Sequence, residues 1–98
     1  MTGYTLAPAA QADLDEIWDY TAATWGEAQA VRYLEDLRDA CRDLAQGSRQ
    51  SRPVDVRAGY RKCQVGKHVL FFQTADTGEI AIMRVLHQRM DVGRHLIG

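Results

Sequence analysis

A single glycine separates the two longest helical patterns of this chain, and that narrow break decides most of what the chain can fold into. Before it, Ala10, Leu14, Ile17, Trp18, Thr21 and Trp25 recur at helical spacing, while Asp13, Asp15, Glu16 and Asp19 fill the positions between them. After Gly26 the pattern restarts, with Val31, Leu34, Leu37, Cys41, Leu44 and Ala45 on one face, and runs to about Gln46. Both stretches have the period of an amphipathic helix. So short a break sends the second helix back along the first, giving an antiparallel hairpin whose apolar stripes turn towards a common third element.

That element has to come from the other half of the chain. Gly47 to Pro53 is rich in turn-forming residues and reads as a loop. Tyr60 to Val65 and His68 to Thr74 are β-prone runs joined by Gly66-Lys67, where glycine supplies the positive φ of a two-residue hairpin turn. Ala75 to Gly78 makes the next turn. The run from Glu79 to His87 is apolar on both faces, as a central strand should be. At the other end, Tyr4-Thr5-Leu6 is a short strand that meets a helix at Ala7-Pro8, since proline suits the first helical turn. The expected order is β-α-α-β-β-β, an α+β fold with a helical hairpin on one face of a small antiparallel sheet. The basic tail, Gln88 to Gly98, is expected to form one loose helical turn around Asp91-Val92-Gly93-Arg94.

At 98 residues the chain has room for one domain, residues 1–98, and one core. Hydrophobic residues at 46% and charged residues at 26% exclude a disordered chain. Runs such as Val69-Leu70-Phe71-Phe72 are too short to span a bilayer, and Met1-Thr2-Gly3-Tyr4 lacks the marks of a signal peptide, so a cytoplasmic protein without membrane contact is expected. Cys41 and Cys63 read as buried reduced thiols; with His68, His87 and His95 they form no recognisable ligand spacing, so neither metal nor cofactor is expected. The small net charge of −1 hides a polarity. Residues 1–46 carry nine acids against three bases, a net of −6, and residues 47–98 carry nine bases against four acids, a net of +5. The basic half suits an acidic protein segment or a phosphate backbone.

Certain runs, in this order, carry a family likeness: Ala9 to Tyr20, Trp25-Gly26-Glu27, Tyr60-Arg61-Lys62, Val65-Gly66-Lys67-His68, and Arg84-Val85-Leu86-His87-Gln88-Arg89-Met90-Asp91. Their order and spacing resemble ParE toxins of the RelE/ParE superfamily over nearly the whole chain. Ala7 stands where such relatives often have Ser before Pro8, which removes a capping oxygen worth about 1 kcal/mol. The resemblance implies a type II toxin neutralised by a ParD-like antitoxin, a ribbon-helix-helix protein that forms a hetero-oligomer with it. It also implies DNA gyrase as the target, and operator DNA contacted only through the antitoxin.

Under that reading the antitoxin is expected to meet Trp18, Trp25, Leu34, Leu37, Arg61 and Arg84, and the target to meet Arg57, Tyr60, His87, Arg89 and Arg94. Trp18 and Trp25 also read as core anchors, with Trp25 the more open near the hairpin turn. A charge inside an apolar strand, as at Arg84, has to point to solvent, pair or serve a partner, and a partner or tail contact is expected. The superfamily also contains ribosome-dependent mRNA endonucleases. Cleavage of RNA needs a base, an acid and cations around the phosphate. His87 is the candidate proton carrier and Arg57, Arg61, Lys62, Arg84 and Arg89 the candidate cations, but the catalytic cluster is incomplete, so no catalytic residue is assigned. A free-standing nucleic-acid binder is disfavoured by the near-zero net charge.

Overall fold

The computed structural model describes residues 3–55 and 57–90. The strand β1 (Tyr4–Leu6) leads into α1 (Pro8–Trp25) and α2 (Glu27–Gln46), followed by β2 (Arg52–Pro53), β3 (Arg61–Val65), β4 (His68–Thr74) and β5 (Ile80–His87). Pro8 opens α1 after Ala7, whose side chain makes no capping hydrogen bond. Gly26, at φ +96°, ends α1 with its N–H on the Ala22 carbonyl and starts α2 by accepting from Ala30 N–H. That φ strains any residue with a Cβ, so the one-residue link depends on glycine. α2 closes where the N–H groups of Gly47 and Ser48 reach back to the Leu44 and Asp43 carbonyls.

The strands lie in the order β1-β5-β4-β3-β2. The meander β3-β4-β5 is antiparallel as expected. Two features depart from the expectation. β1 joins β5 in parallel, through Tyr4–Ile80, Thr5–Ala81 and Leu6–Ile82, which makes the sheet mixed. Within the stretch read as loop, Arg52 and Pro53 form a short edge strand against Lys62 and Arg61. Proline is tolerated there because an edge residue needs no N–H on its open side. The turn expected around 91–94 lies outside the described residues.

The main core forms where the hairpin covers one face of the sheet. α1 buries Ala10, Leu14, Ile17 and Thr21, and α2 buries Ala30, Leu37, Ala40, Cys41, Leu44 and Ala45. These pack on Cys63, Val65, Leu70, Phe72, Ile82 and Val85. The α2 stripe therefore starts at Ala30, and Val31, expected to face inward, is exposed. On the opposite sheet face, Val54 and Tyr60 fold over Phe71 and Leu86 as a second small core. This loop explains why β5 is apolar on both sides. A bulge opposite Phe71 and Phe72 lets Met83 join that outer core while Ile82 and Val85 remain in the inner one.

Gly66, in the β3–β4 turn at φ +58°, lies under the Tyr33 ring, where a Cβ would come within 2.9 Å of the ring edge. Left-handed backbone and a ring contact act together, so Gly66→Ala is expected to cost about 1–2 kcal/mol, seen as a lower denaturation midpoint. Unchanged stability would mean that the ring moves away freely.

Candidate partner-binding cleft

Beyond the main core the helices and sheet diverge and leave a cleft of about 870 Å³. α1 provides one wall through Glu16, Ile17, Tyr20, Thr21 and Trp25. The stripe that packs the core continues past the edge of the sheet, so Trp25 keeps its helical phase but loses its sheet partner. It is 69% exposed, and Tyr20 is 68% exposed. Gln29 and Tyr33 of α2 close one end, and Lys67, His68, Val85, His87 and Met90 form the facing wall. The cleft is aromatic and apolar inside, with a carboxylate rim on the helical side and a lysine and two imidazoles on the sheet side.

Tyr33 ties the two walls together. Its hydroxyl lies 2.6 Å from His68 Nδ1, accepts the Lys67 backbone N–H at 3.2 Å and reaches the Val65 carbonyl at 3.3 Å. Its single proton serves either the Val65 carbonyl or His68 Nδ1, and the His68 tautomer decides which. Burial pushes the Tyr33 phenol up, which keeps it neutral. The His68 and His87 rings meet edge to face at 5.4 Å, and His87 Nδ1 accepts the Arg89 backbone N–H at 3.2 Å.

Burial, followed by the His87 imidazole, holds His68 below the ordinary 6.5, with Asp13 pulling the other way. Between the lowered folded value and 6.5 the unfolded chain binds a proton that the folded protein does not. Stability attributable to His68 is therefore lost as pH falls through that window. A histidine-resolved NMR titration is expected to place the His68 midpoint below 6.5, and a midpoint at or above 6.5 would contradict its half-buried setting.

Asp13 fixes the sheet end of the helical wall. Beyond Ile82 the β5 edge has no β1 partner, and Asp13 takes that place. One carboxylate oxygen accepts both Val85 N–H and Arg84 Nε–H at 2.8 Å, and the other accepts the Arg84 terminal N–H at 2.9 Å. The hydrogen bond to Asp13 raises the Arg84 pKa further. Arg84, expected to meet a partner or the tail, is thus internally paired.

The other expected site residues are scattered. Leu37 is 1% exposed in the main core and offers no surface to a partner. Tyr60 is buried in the outer core, with the Arg57 guanidinium 4.9 Å above its ring, so it too is packing rather than target surface. Trp18 and Leu34 are half-buried, Arg89 is exposed just past β5, and Arg61 stands on a different cleft. Arg94 lies outside the described residues. Trp25 and His87 do reach the large cleft. Tyr20, Tyr33, Lys67 and His68 carry little mark in the sequence: Tyr33 is an aromatic residue off the main stripe of α2, and the Gly66-Lys67 turn is already accounted for by its positive φ.

Two histidines and a tyrosine converge here, but Arg84, Arg61 and Arg57 do not join them. Arg84 is neutralised by Asp13, Arg61 is bound to Ser51, and Arg57 lies over Tyr60. Among the described residues the cation lining the cleft is Lys67, opposed by Glu16 and Asp13. Among the described residues the geometry that gathers cations around a phosphodiester is not assembled.

A helical hairpin on a five-stranded mixed sheet, opening into this aromatic cleft, defines an α+β protein with a groove fit to receive a polypeptide. A solved structure described as the chromosomal ParDE TA system from P. aeruginosa superposes with a TM-score of 0.74 at 23% identity, covering 89% of this chain and 96% of that one. The chain belongs to the ParE toxins of type II toxin–antitoxin systems, parDE, whose family model matches residues 4–92. Toxin ParE1 of Mycobacterium tuberculosis is 50% identical over 94 residues, covering 95% of this chain and 96% of the relative. Toxin ParE1 of Caulobacter vibrioides is 39% identical over 97 residues, covering 98% and 99%. Toxin ParE of Escherichia coli is 31% identical over 93 residues, covering 94% and 90%. Membership implies an antitoxin partner. No helix among the described residues is long and apolar enough to cross a membrane.

Proposed function

We infer that this toxin acts by binding proteins: a ParD-like antitoxin holds it inactive, and the free toxin inhibits DNA gyrase and so replication in the cytoplasm. The observation that carries this reading is the large cleft, whose exposed Tyr20 and Trp25 flank an apolar floor. An amphipathic helix docks into such a groove by its apolar face, and aromatic anchors dominate such contacts. The antitoxin segment is disordered when free and folds on binding, so its proteolysis releases the toxin. Its ribbon-helix-helix part dimerises and contacts operator DNA, to which the toxin is tied only through the antitoxin. Arg57, His87 and Arg89 remain candidate target contacts.

The Tyr33–His68–His87 cluster favours a second reading, a ribosome-dependent mRNA endonuclease, because imidazoles in a cleft are the natural acid and base. The two separate in one experiment on purified toxin. Inhibition of gyrase supercoiling, relieved by the antitoxin encoded beside it, supports the first. Intact supercoiling together with cleavage of translated mRNA supports the second and overturns the first.

A further inference from the structure

A second cleft, of about 400 Å³, opens where the C-terminus of α2 meets the sheet. Leu44, Phe72 and Ile80, all nearly buried, line it, and so do Arg49 and Arg61. Arg61 shares the helix-facing side of the sheet with its cross-strand neighbour Phe72. Its Nε–H donates to Ser51 Oγ at 2.7 Å and its terminal N–H to the Ser51 carbonyl at 2.8 Å. Both acceptors are neutral, so Ser51 orients the guanidinium without neutralising it. Among the described residues no carboxylate forms an ion pair with Arg61. Arg49 is held only loosely, 3.8 Å from Asp43. A half-buried, oriented cation without a counter-charge carries a desolvation cost that an incoming anion offsets.

We propose that this cleft seats an acidic polypeptide segment, which sets a Glu or Asp carboxylate on Arg61 and Arg49. A planar carboxylate matches the N–H donors of a guanidinium in two parallel bonds. Nucleic acid fits less well: its repeated charges need several cations along a track, whereas here Arg49 and Arg61 stand beside Asp43 and the negative carbonyl end of α2, which leaves room for one carboxylate and not for a polyanion. The inference goes beyond the antitoxin reading of the large cleft and does not depend on it: the anion seat exists whichever polypeptide fills the other end.

The test is an NMR titration of the full chain with acetyl-Ala-Leu-Glu-Ala-amide, its Glu→Gln counterpart, inorganic phosphate and a short single-stranded oligonucleotide. The Glu peptide is expected to shift the Arg61 Nε–H and the amides of Gln46 and Thr74 saturably. Replacing its Glu by Gln, or Arg61→Gln in the protein, should weaken binding about tenfold. Arg61→Lys keeps the charge but not the fork and should lose several-fold, which covers the case in which Arg61→Gln does not fold. No shift in this cleft, equal binding of the Gln peptide, or undiminished binding by Arg61→Lys would overturn the proposal. So would phosphate or oligonucleotide moving the same signals at lower concentration than the peptide.

Discussion

Replacing Asp13 by alanine is expected to lower stability by about 2–4 kcal/mol, because it strands two groups at once. Arg84 loses both carboxylate contacts while three-quarters of its side chain stays covered, and Val85 loses the acceptor of its N–H. Asp13 itself is only 11% exposed, and water entering from the adjoining cleft can replace its acceptors but not its charge. For a chain of this length the loss corresponds to roughly 10–25 °C in Tm. Removing both charges, as in Asp13→Leu with Arg84→Met, should recover part of the loss. It should not recover all of it, since the Val85 N–H then remains unsatisfied at about 1 kcal/mol or more. Thermal and denaturant unfolding of the two single variants and the double variant check this. An additive double variant would show that the contact is not coupled.

How far these features were legible in the sequence differs from element to element. The helical hairpin was plain, since apolar periodicity and one glycine determine it locally. The meander was plain for the same reason: Gly66-Lys67 and the turn before Glu79 punctuate β-prone runs. What escaped depends on contacts between distant segments. The parallel pairing of β1 with β5 joins residues more than 70 positions apart and leaves no mark in a three-residue strand. The partner of Arg84 is Asp13, a residue whose helical phase places it among the solvated acids of α1. Nor does periodicity tell where a sheet ends, which is why Trp25 kept its place on the stripe but became cleft wall. Leu37 illustrates the converse, since an apolar residue on a helix reads alike whether it meets the sheet or a partner.

The double substitution Tyr20→Ala with Trp25→Ala should leave the fold intact and weaken antitoxin binding roughly 1,000-fold. Both rings are largely exposed in the free toxin, so their removal costs little packing. In the proposed complex they become buried aromatic anchors, each worth about 2 kcal/mol. Calorimetric titration of the variant with the antitoxin, alongside its unfolding curve, separates lost affinity from lost stability. Affinity within a few-fold of the parent would remove the two rings from the interface.

The central claim, that the antitoxin lies between the helical hairpin and the β4–β5 end of the sheet, is tested most directly by amide hydrogen exchange of the toxin with and without bound antitoxin. The account predicts strongly slowed exchange at the C-terminal turns of α1 and around Lys67, His68 and His87. Protection confined to the outer sheet face, around Val54, Tyr60 and Val69, with those amides unchanged, would contradict it.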